Sequence, residues 1–341
     1  MKDNKKFRYN HYIAIDWSME VAEIARMTYQ GSKIERKTIE AETRAIKGYL
    51  DSLSGSKILT IEETTGSHWL YVELYDHVDK IIICDPYRNR LLSEGPKNDR
   101  IDAGKLCLLL RSGLLKEVYH SLQQSYNIRK LVRAYEQLVK AGVRVKNQRS
   151  ALYRSVGLDH KKDGLNRDDE LMGFIESQQK RSIAQYSQEK LNYEKMFEQI
   201  RKEQKIIKRL TDISGIGTIL AMKIYAIVLD ATRFENKYKY WSYCGLVSHR
   251  KESGGRDYGR RKPRYCRILK GVYRGAALAA ISGNNDIREY YDELIREGLS
   301  LEEAANQIAR YIAKVTYAVM KNKIPYRAYQ WREGKQHKQM L

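Results

Sequence analysis

The stretch Tyr12-Ile13-Ala14-Ile15-Asp16-Trp17-Ser18 decides how the first third of the chain reads. Its apolar run is too short for a helix and stops on a carboxylate, the pattern of a buried strand that delivers an acid at its C-terminal end. Working outward, Val21 to Tyr29 and Lys33 to Glu40 read as two further strands, the second alternating Ile34, Arg36 and Thr38. The polar links Trp17 to Glu20 and Gln30 to Ser32 suit hairpins. A helix over Glu42 to Leu53 follows, then a strand Lys57 to Ile61 that runs into Glu62-Glu63. A helix over Ser67 to His77, a strand Lys80 to Cys84 and a helix from Asp99 to Arg111 complete this part.

Three strands, then helix, strand, helix, strand, helix is the element order of an α/β RNase H-like domain, expected over residues 1–124. In such a sheet the first and fourth strands are neighbours, so their C-terminal ends would bring Asp16 and Glu62-Glu63 together. In Lys97-Asn98-Asp99-Arg100-Ile101-Asp102-Ala103 the two aspartates share a helix face, where like charges repel unless a cation sits between them. Asp16, Glu63, Asp99 and Asp102 are therefore the expected metal-binding and catalytic acids, with Glu62 able to exchange roles with Glu63. An all-oxygen set suits Mg²⁺ or Mn²⁺. Paired metals about 3.5–4 Å apart can stabilise both the attacking and the leaving oxygen in phosphoryl transfer.

The character changes at Ser125. Leu131, Leu138, Val145 and Leu152 recur every seven residues. After a polar break from Gly157 to Glu170, a second run carries Ile183, Tyr186, Tyr193, Phe197, Ile200 and Ile207, with Lys190 and Gln204 at two seam positions. The pattern predicts a coiled-coil arm of two long helices over 125–210. Residues 211–341 read as an all-α domain. There, Ser214-Gly215-Ile216-Gly217-Thr218 opens a helix over Ile219 to Val228, and Gly215 and Gly217 would let backbone N–H groups approach a phosphate. An ordinary turn between helices is the competing reading. Ser300 and Glu303 form a capping box for a helix with the core stripe Ala305, Ile308, Ile312, Val315 and Val319. Cys84, Cys107, Cys244 and Cys266 lack the close spacing of a metal or redox site and read as reduced thiols.

Lys and Arg total 63 against 42 Asp and Glu, a formal charge of +21. That excess favours a polyanionic partner, nucleic acid first. No apolar run approaches the roughly 18 residues of a spanning helix, and Met1 to Lys6 shows no signal-peptide pattern. A cytoplasmic protein with no membrane partner is expected. The charge is concentrated: Arg233 to Arg274 holds 13 Lys and Arg against 3 Asp and Glu, a net +10 in 42 residues, interleaved with six tyrosines. Cations neutralise phosphates and aromatic rings stack on bases or sugars. Within it, Arg250-Lys251-Glu252-Ser253-Gly254-Gly255-Arg256-Asp257-Tyr258-Gly259-Arg260-Arg261 reads as a glycine-rich loop presenting a serine. Arg250, Lys251, Arg256, Arg260, Arg261, Lys262 and Arg264 are the expected nucleic-acid contacts. A serine hydroxyl is a poor nucleophile without a base or electrostatic help. Read alone, Ser253 is more a phosphate-binding or turn serine than a nucleophile.

Several strings together point to one family. Ala14-Ile15-Asp16-Trp17-Ser18, Glu63-Thr64-Thr65-Gly66 and Asn98-Asp99-Arg100-Ile101-Asp102-Ala103 resemble the Asp-Glu-Asp-Asp pattern of an insertion-sequence transposase family. That family includes the Piv DNA invertases and the RNA-guided bridge recombinases. Ile213-Ser214-Gly215-Ile216-Gly217, Tyr243-Cys244-Gly245-Leu246 and Ser253-Gly254 resemble its second block in order and spacing. The resemblance implies a RuvC-like N-terminal domain whose acids are Asp16, Glu63, Asp99 and Asp102, and Ser253 as a nucleophile that forms a phosphoserine intermediate. It implies a composite site across the subunits of a homodimer or homotetramer acting on double-stranded donor and target DNA. It also implies a structured noncoding RNA, encoded beside the gene, that pairs with both DNAs. Such a protein would be cytoplasmic and associated with the nucleoid during reaction. Thr64 departs from the small residue usual there, and the stretch after Ser253 is unusually rich in arginine. The competing readings are a metal-dependent Holliday-junction or transposon-end endonuclease using water, and a non-catalytic nucleic-acid-binding scaffold.

Overall fold

A computed structural model of the chain describes residues 8–31, 33–87, 99–122, 125–161, 169–261 and 264–332. The chain divides into two units, Met1–Gln123 and Gln124–Leu341. In the first, six strands form one sheet in the order β3-β2-β1-β4-β5-β6. They are β1 (His11–Trp17), β2 (Val21–Thr28), β3 (Glu35–Glu40), β4 (Lys57–Glu62), β5 (Lys80–Cys84) and β6 (Glu117–Val118). β1, β2 and β3 pair antiparallel in sequence, whereas β4 lies parallel to β1 and β5 parallel to β4. This is the expected RNase H-like arrangement. β6 is not foreseen in the sequence, because its two residues carry no periodicity to detect. β1 is apolar on both faces because both are covered. Ile13 and Ile15 pack with Ile46 of α1 (Thr43–Asp51) and Leu70 of α2 (Ser67–Leu74). Tyr12 and Ala14 pack with Ala103, Leu106 and Cys107 of α3 (Asp99–Arg111).

The second unit opens with two long helices, α4 (Ser125–Ser155) and α5 (Glu170–Glu203). Tyr135 Oη donates to Glu194 at 3.0 Å and Arg149 donates to Glu176 at 3.2 Å, so the helices run antiparallel. The buried stripe of α4 is Val132, Tyr135, Gly142 and Tyr153, while Leu131, Leu138, Val145 and Leu152 are only half-buried. The seam is thus displaced by one residue from the seven-residue run. Two tyrosines and a glycine form it, and a Cβ at Gly142 would lie 2.4 Å from the ring of Tyr186. A pattern of aliphatic residues cannot register such a seam. At one end Val132, Tyr135 and Phe197 enter the same core as Leu210, Ile224, Tyr273 and Ile312.

That core is built by α6 (Lys205–Thr211), α7 (Thr218–Val228), α8 (Lys237–Tyr243), α9 (Arg267–Ile281), α10 (Asp286–Arg296) and α11 (Leu301–Asn322). Ser300 and Glu303 cap α11 reciprocally. The unit is helical but not all-α. The segment expected to be a loop is a two-stranded ribbon of β7 (His249–Ser253) and β8 (Arg256–Arg261). Gly254 and Gly255 have φ of +59° and +75°, the positive pair that a tight two-residue hairpin turn requires. The polar composition of the strands hid them. Among the described residues no helix is long and apolar enough to cross a membrane.

Candidate active site

The first unit gathers its acids by strand register. Ile15 and Ile61 are partners in the parallel β1–β4 pair, so Asp16 and Glu62 follow side by side. Alternation assigns them a face. Tyr12 and Ala14 in β1, and Ile58 in β4, meet α3, and Asp16 and Glu62 continue those two rows. Both acids are half-buried. Glu63 lies just beyond β4, where its N–H donates to the Cys84 carbonyl at 3.0 Å. The chain then turns into α2, with Ser67 Oγ donating to the Thr64 carbonyl at 3.0 Å.

α3 covers the face of Asp16 and Glu62 by inserting Ala103, Leu106, Cys107 and Leu110. Asp102 stands at the edge of that stripe, half-buried, with Lys105 Nζ 3.9 Å away. Asp99 opens α3, but its side chain lies outside the described residues. Among the described residues no group of three or more His, Cys, Asp or Glu side chains is close enough to hold a metal ion. The donor chemistry of Asp16, Glu62, Glu63 and Asp102, all carboxylate oxygen, fits a hard divalent cation. Glu62 is the residue that the family pattern passes over and the strand register brings forward.

The serine of the second unit is delivered by a chain of local geometry. Asn236 caps α8 by accepting from the N–H groups of Tyr238 and Lys239. The helix ends at Gly245, whose φ is +67° and where a Cβ would sit 2.4 Å from the Tyr265 ring. The chain leaves from there into β7. In the ribbon Ser253 pairs with Arg256, Glu252 with Asp257, Arg250 with Arg260 and His249 with Arg261. Tyr258 and Gly259 therefore stand against Lys251 alone, a β-bulge with Gly259 at φ +83°. Asp257 Oδ1 accepts from the Gly259 N–H at 2.7 Å. Ser253, Arg256, Tyr258, Arg260 and Arg264 are exposed. The side chains of Arg250, Lys251 and Arg261, and the whole of Lys262, lie outside the described residues.

Gly215 has a structural reason of its own. Its φ is +85°, and a Cβ would lie 2.2 Å from the Ala276 carbonyl oxygen of α9. Ser214 beside it donates to buried Asp286 at 2.9 Å. Gly217, the N-cap of α7, is exposed and a Cβ there would meet nothing within 4 Å. The four cysteines are unbridged. Burial pushes the Cys107 thiol up to about 12 and raises that of Cys244 further from its ordinary value, so neither supplies a thiolate.

Residues 13–156 match a transposase family model of the IS110 Asp-Glu-Asp-Asp type. Residues 207–292 match the model described as the transposase IS116/IS110/IS902 family. The chain is similar to the transposase for insertion sequence element IS1111A of Coxiella burnetii, at 21% identity over 328 residues, 89% of this chain and 90% of that one. It is also similar to an uncharacterized 44.8 kDa protein of insertion element IS116 from Streptomyces clavuligerus, at 28% identity over 33% of this chain and 29% of that one. A 43.6 kDa protein of insertion element IS110 from Streptomyces coelicolor is 30% identical over 33% of this chain and 28% of its own length. The two family matches take in the acids of the sheet edge and the serine ribbon, and the chain belongs to the IS116/IS110/IS902 family of insertion-sequence transposases.

Proposed function

We propose that this transposase cuts and rejoins double-stranded donor and target DNA through Ser253, with Asp16, Glu63, Asp99 and Asp102 holding Mg²⁺ or Mn²⁺. The observation that supports it most is an exposed serine at the turn of a cationic ribbon, in the same chain as an acid-bearing RNase H-like sheet edge. Ser253 Oγ bonds to phosphorus as one phosphodiester P–O bond breaks. The serine gives up its proton and the departing strand oxygen gains one. The phosphoserine ester conserves the energy of the broken bond, so the hydroxyl of another strand can reverse the step without a nucleotide cofactor. Bound divalent cations would supply Lewis-acid stabilisation of the charge on the phosphate oxygens. Arg250, Lys251, Arg256, Arg260, Arg261, Lys262 and Arg264 bind the DNA backbone as a sequence-independent footprint, and the Gly217 N–H faces a phosphate at the start of α7.

The family resemblance extends the proposal to a homodimer or homotetramer with a composite RuvC-like and serine site. It also extends it to a structured noncoding RNA that selects both DNAs in the cytoplasm, at the nucleoid. Purified protein, donor and target plasmids, Mg²⁺ and the RNA transcribed beside the gene test it. Joined products that need all four components are expected. Cleavage to free ends that is indifferent to the RNA would overturn it in favour of a water-using nuclease.

A further inference from the structure

The β7–β8 ribbon has two chemically different faces. Residues opposite each other in an antiparallel ladder share a face, and successive residues alternate. Ser253 therefore shares its face with its partner Arg256 and with Tyr258, two residues along β8. Glu252 and Asp257, partners of each other, occupy the other face. The bulge at Tyr258 and Gly259 then adds one residue to β8. Arg260, paired with Arg250, consequently falls on the face of Glu252 and not on that of Ser253. A hydroxyl, a guanidinium and a phenol thus stand together on one face, while two carboxylates sit nearest the turn on the other. Like charges placed directly opposite are unfavourable within a ladder and repel phosphate outside it.

We infer that the Ser253 face of the ribbon docks the DNA strand, with Arg256 holding the non-bridging oxygens of the phosphate that Ser253 attacks and Tyr258 stacking on the adjacent nucleotide. The inference rests on the serine reading above and assigns roles that reading leaves open. Cross-strand partners are about 4.5–5.5 Å apart at Cα, so the longer arginine reaches past the serine to the phosphate. A guanidinium fork matches two phosphate oxygens at once, which a lysine cannot do. Among the described residues the Arg256 guanidinium has no hydrogen-bond or ion-pair partner, so it is available to an external anion. Tyr258 is 57% exposed. A two-stranded ribbon also has the cross-section that a duplex major groove admits. Arg260 is also exposed and likewise without such a partner, four residues away on the face of Glu252 and Asp257. It contributes general attraction to DNA and no contact at the reacting phosphate.

The test compares Arg256→Ala, Arg256→Lys, Tyr258→Ala and Arg260→Ala in the full-length protein with its RNA and Mg²⁺. One readout is the rate of protein–DNA adduct formation at saturating DNA together with the half-saturating DNA concentration. The other is DNA affinity when a neutral methylphosphonate replaces the scissile phosphate, which needs no chemistry. Arg256→Ala is expected to slow the saturated rate by about a hundredfold or more, the scale of losing a donor to developing charge. Arg256→Lys recovers part of that loss, and Tyr258→Ala acts mainly on the half-saturating concentration. Arg260→Ala raises the half-saturating concentration while its saturated rate falls far less than that of Arg256→Ala. The methylphosphonate weakens wild-type binding but not that of Arg256→Ala. Equal effects of the two arginine variants on the saturated rate, or a methylphosphonate penalty that persists in Arg256→Ala, would overturn the face assignment. A wild type that loses affinity for the methylphosphonate through Arg256 yet forms no serine adduct would defeat the nucleophile reading and leave the phosphate contact standing.

Discussion

Glu62 and Glu63 differ by one position and, on a strand, by a whole face. Register carries Glu62 along with Asp16 under α3, while Glu63 begins the link to α2. On the proposal that Glu63 holds the metal, Glu62 beside Asp16 plays a supporting part. Glu63→Gln should abolish DNA cleavage, whereas Glu62→Gln should cost about 10–100-fold, recovered in part by raising Mg²⁺, as is usual for groups that steady a ligand. An inactive Glu62→Gln beside an active Glu63→Gln would move the ligand by one residue. Two glycines separate in the same manner. Gly215→Ala combines a left-handed φ with a clash against the α9 backbone and should cost about 2 kcal/mol or more in denaturant unfolding. Gly217→Ala should cost only about 0.5 kcal/mol in unfolding, the scale of an N-cap exchange, and weaken DNA binding. Unchanged binding would remove the α7 N-terminus from the phosphate contacts. Asp16 was legible in the sequence because a charge ending an apolar run is conspicuous. Which cations share the face of Ser253 was not, since the place of Arg260 depends on a bulge at Gly259.

At the scale of elements, the α4–α5 pair shows what a seven-residue pattern can and cannot reveal. Two long helices are legible in the heptad runs, but the second run continues past Gln204, where α5 ends, and the seam chosen is the one that fits Tyr186 against Gly142. Farther along, Glu176 accepts from Arg149 and Tyr153 and lies 3.0 Å from Lys180 Nζ. Burial pushes the Glu176 carboxyl up, but those hydrogen bonds and the Lys180 charge outweigh it and hold the group below its ordinary value. A carboxylate whose folded value is lowered stabilises the fold above its unfolded value, about 4.3, and loses that contribution as pH falls through the folded one. The helical pair should therefore weaken below about pH 4.3. Glu176→Gln should remove part of that dependence and cost about 1–3 kcal/mol at neutral pH. Helicity and denaturant midpoints between pH 7 and pH 3 measure both. An acid dependence identical in the variant would mean that Glu176 does not govern it. The ribbon, by contrast, was hidden because its strands are polar on both faces and read as a loop until the paired glycine turn is seen.

Over the whole molecule, the chain joins a sheet that carries acids at the C-terminal ends of its central strands to a helical unit that carries a serine on a basic ribbon. Composition alone indicated a nucleic-acid partner, and element order alone indicated the RNase H-like sheet. The proposed chemistry names residues of both units, and no local pattern in the sequence links them. On the proposed chemistry the serine, and not water, attacks the DNA. Wild-type protein, Ser253→Ala and Asp102→Ala should be incubated with Mg²⁺, the neighbouring RNA and cognate DNA, then denatured and examined for protein–DNA adducts by gel and mass spectrometry. A wild-type adduct that carries the phosphate on Ser253 is expected, with none in Ser253→Ala and a strongly reduced yield in Asp102→Ala. Cleavage that persists in Ser253→Ala without any adduct would contradict that chemistry and assign the cut to a water molecule at the acids.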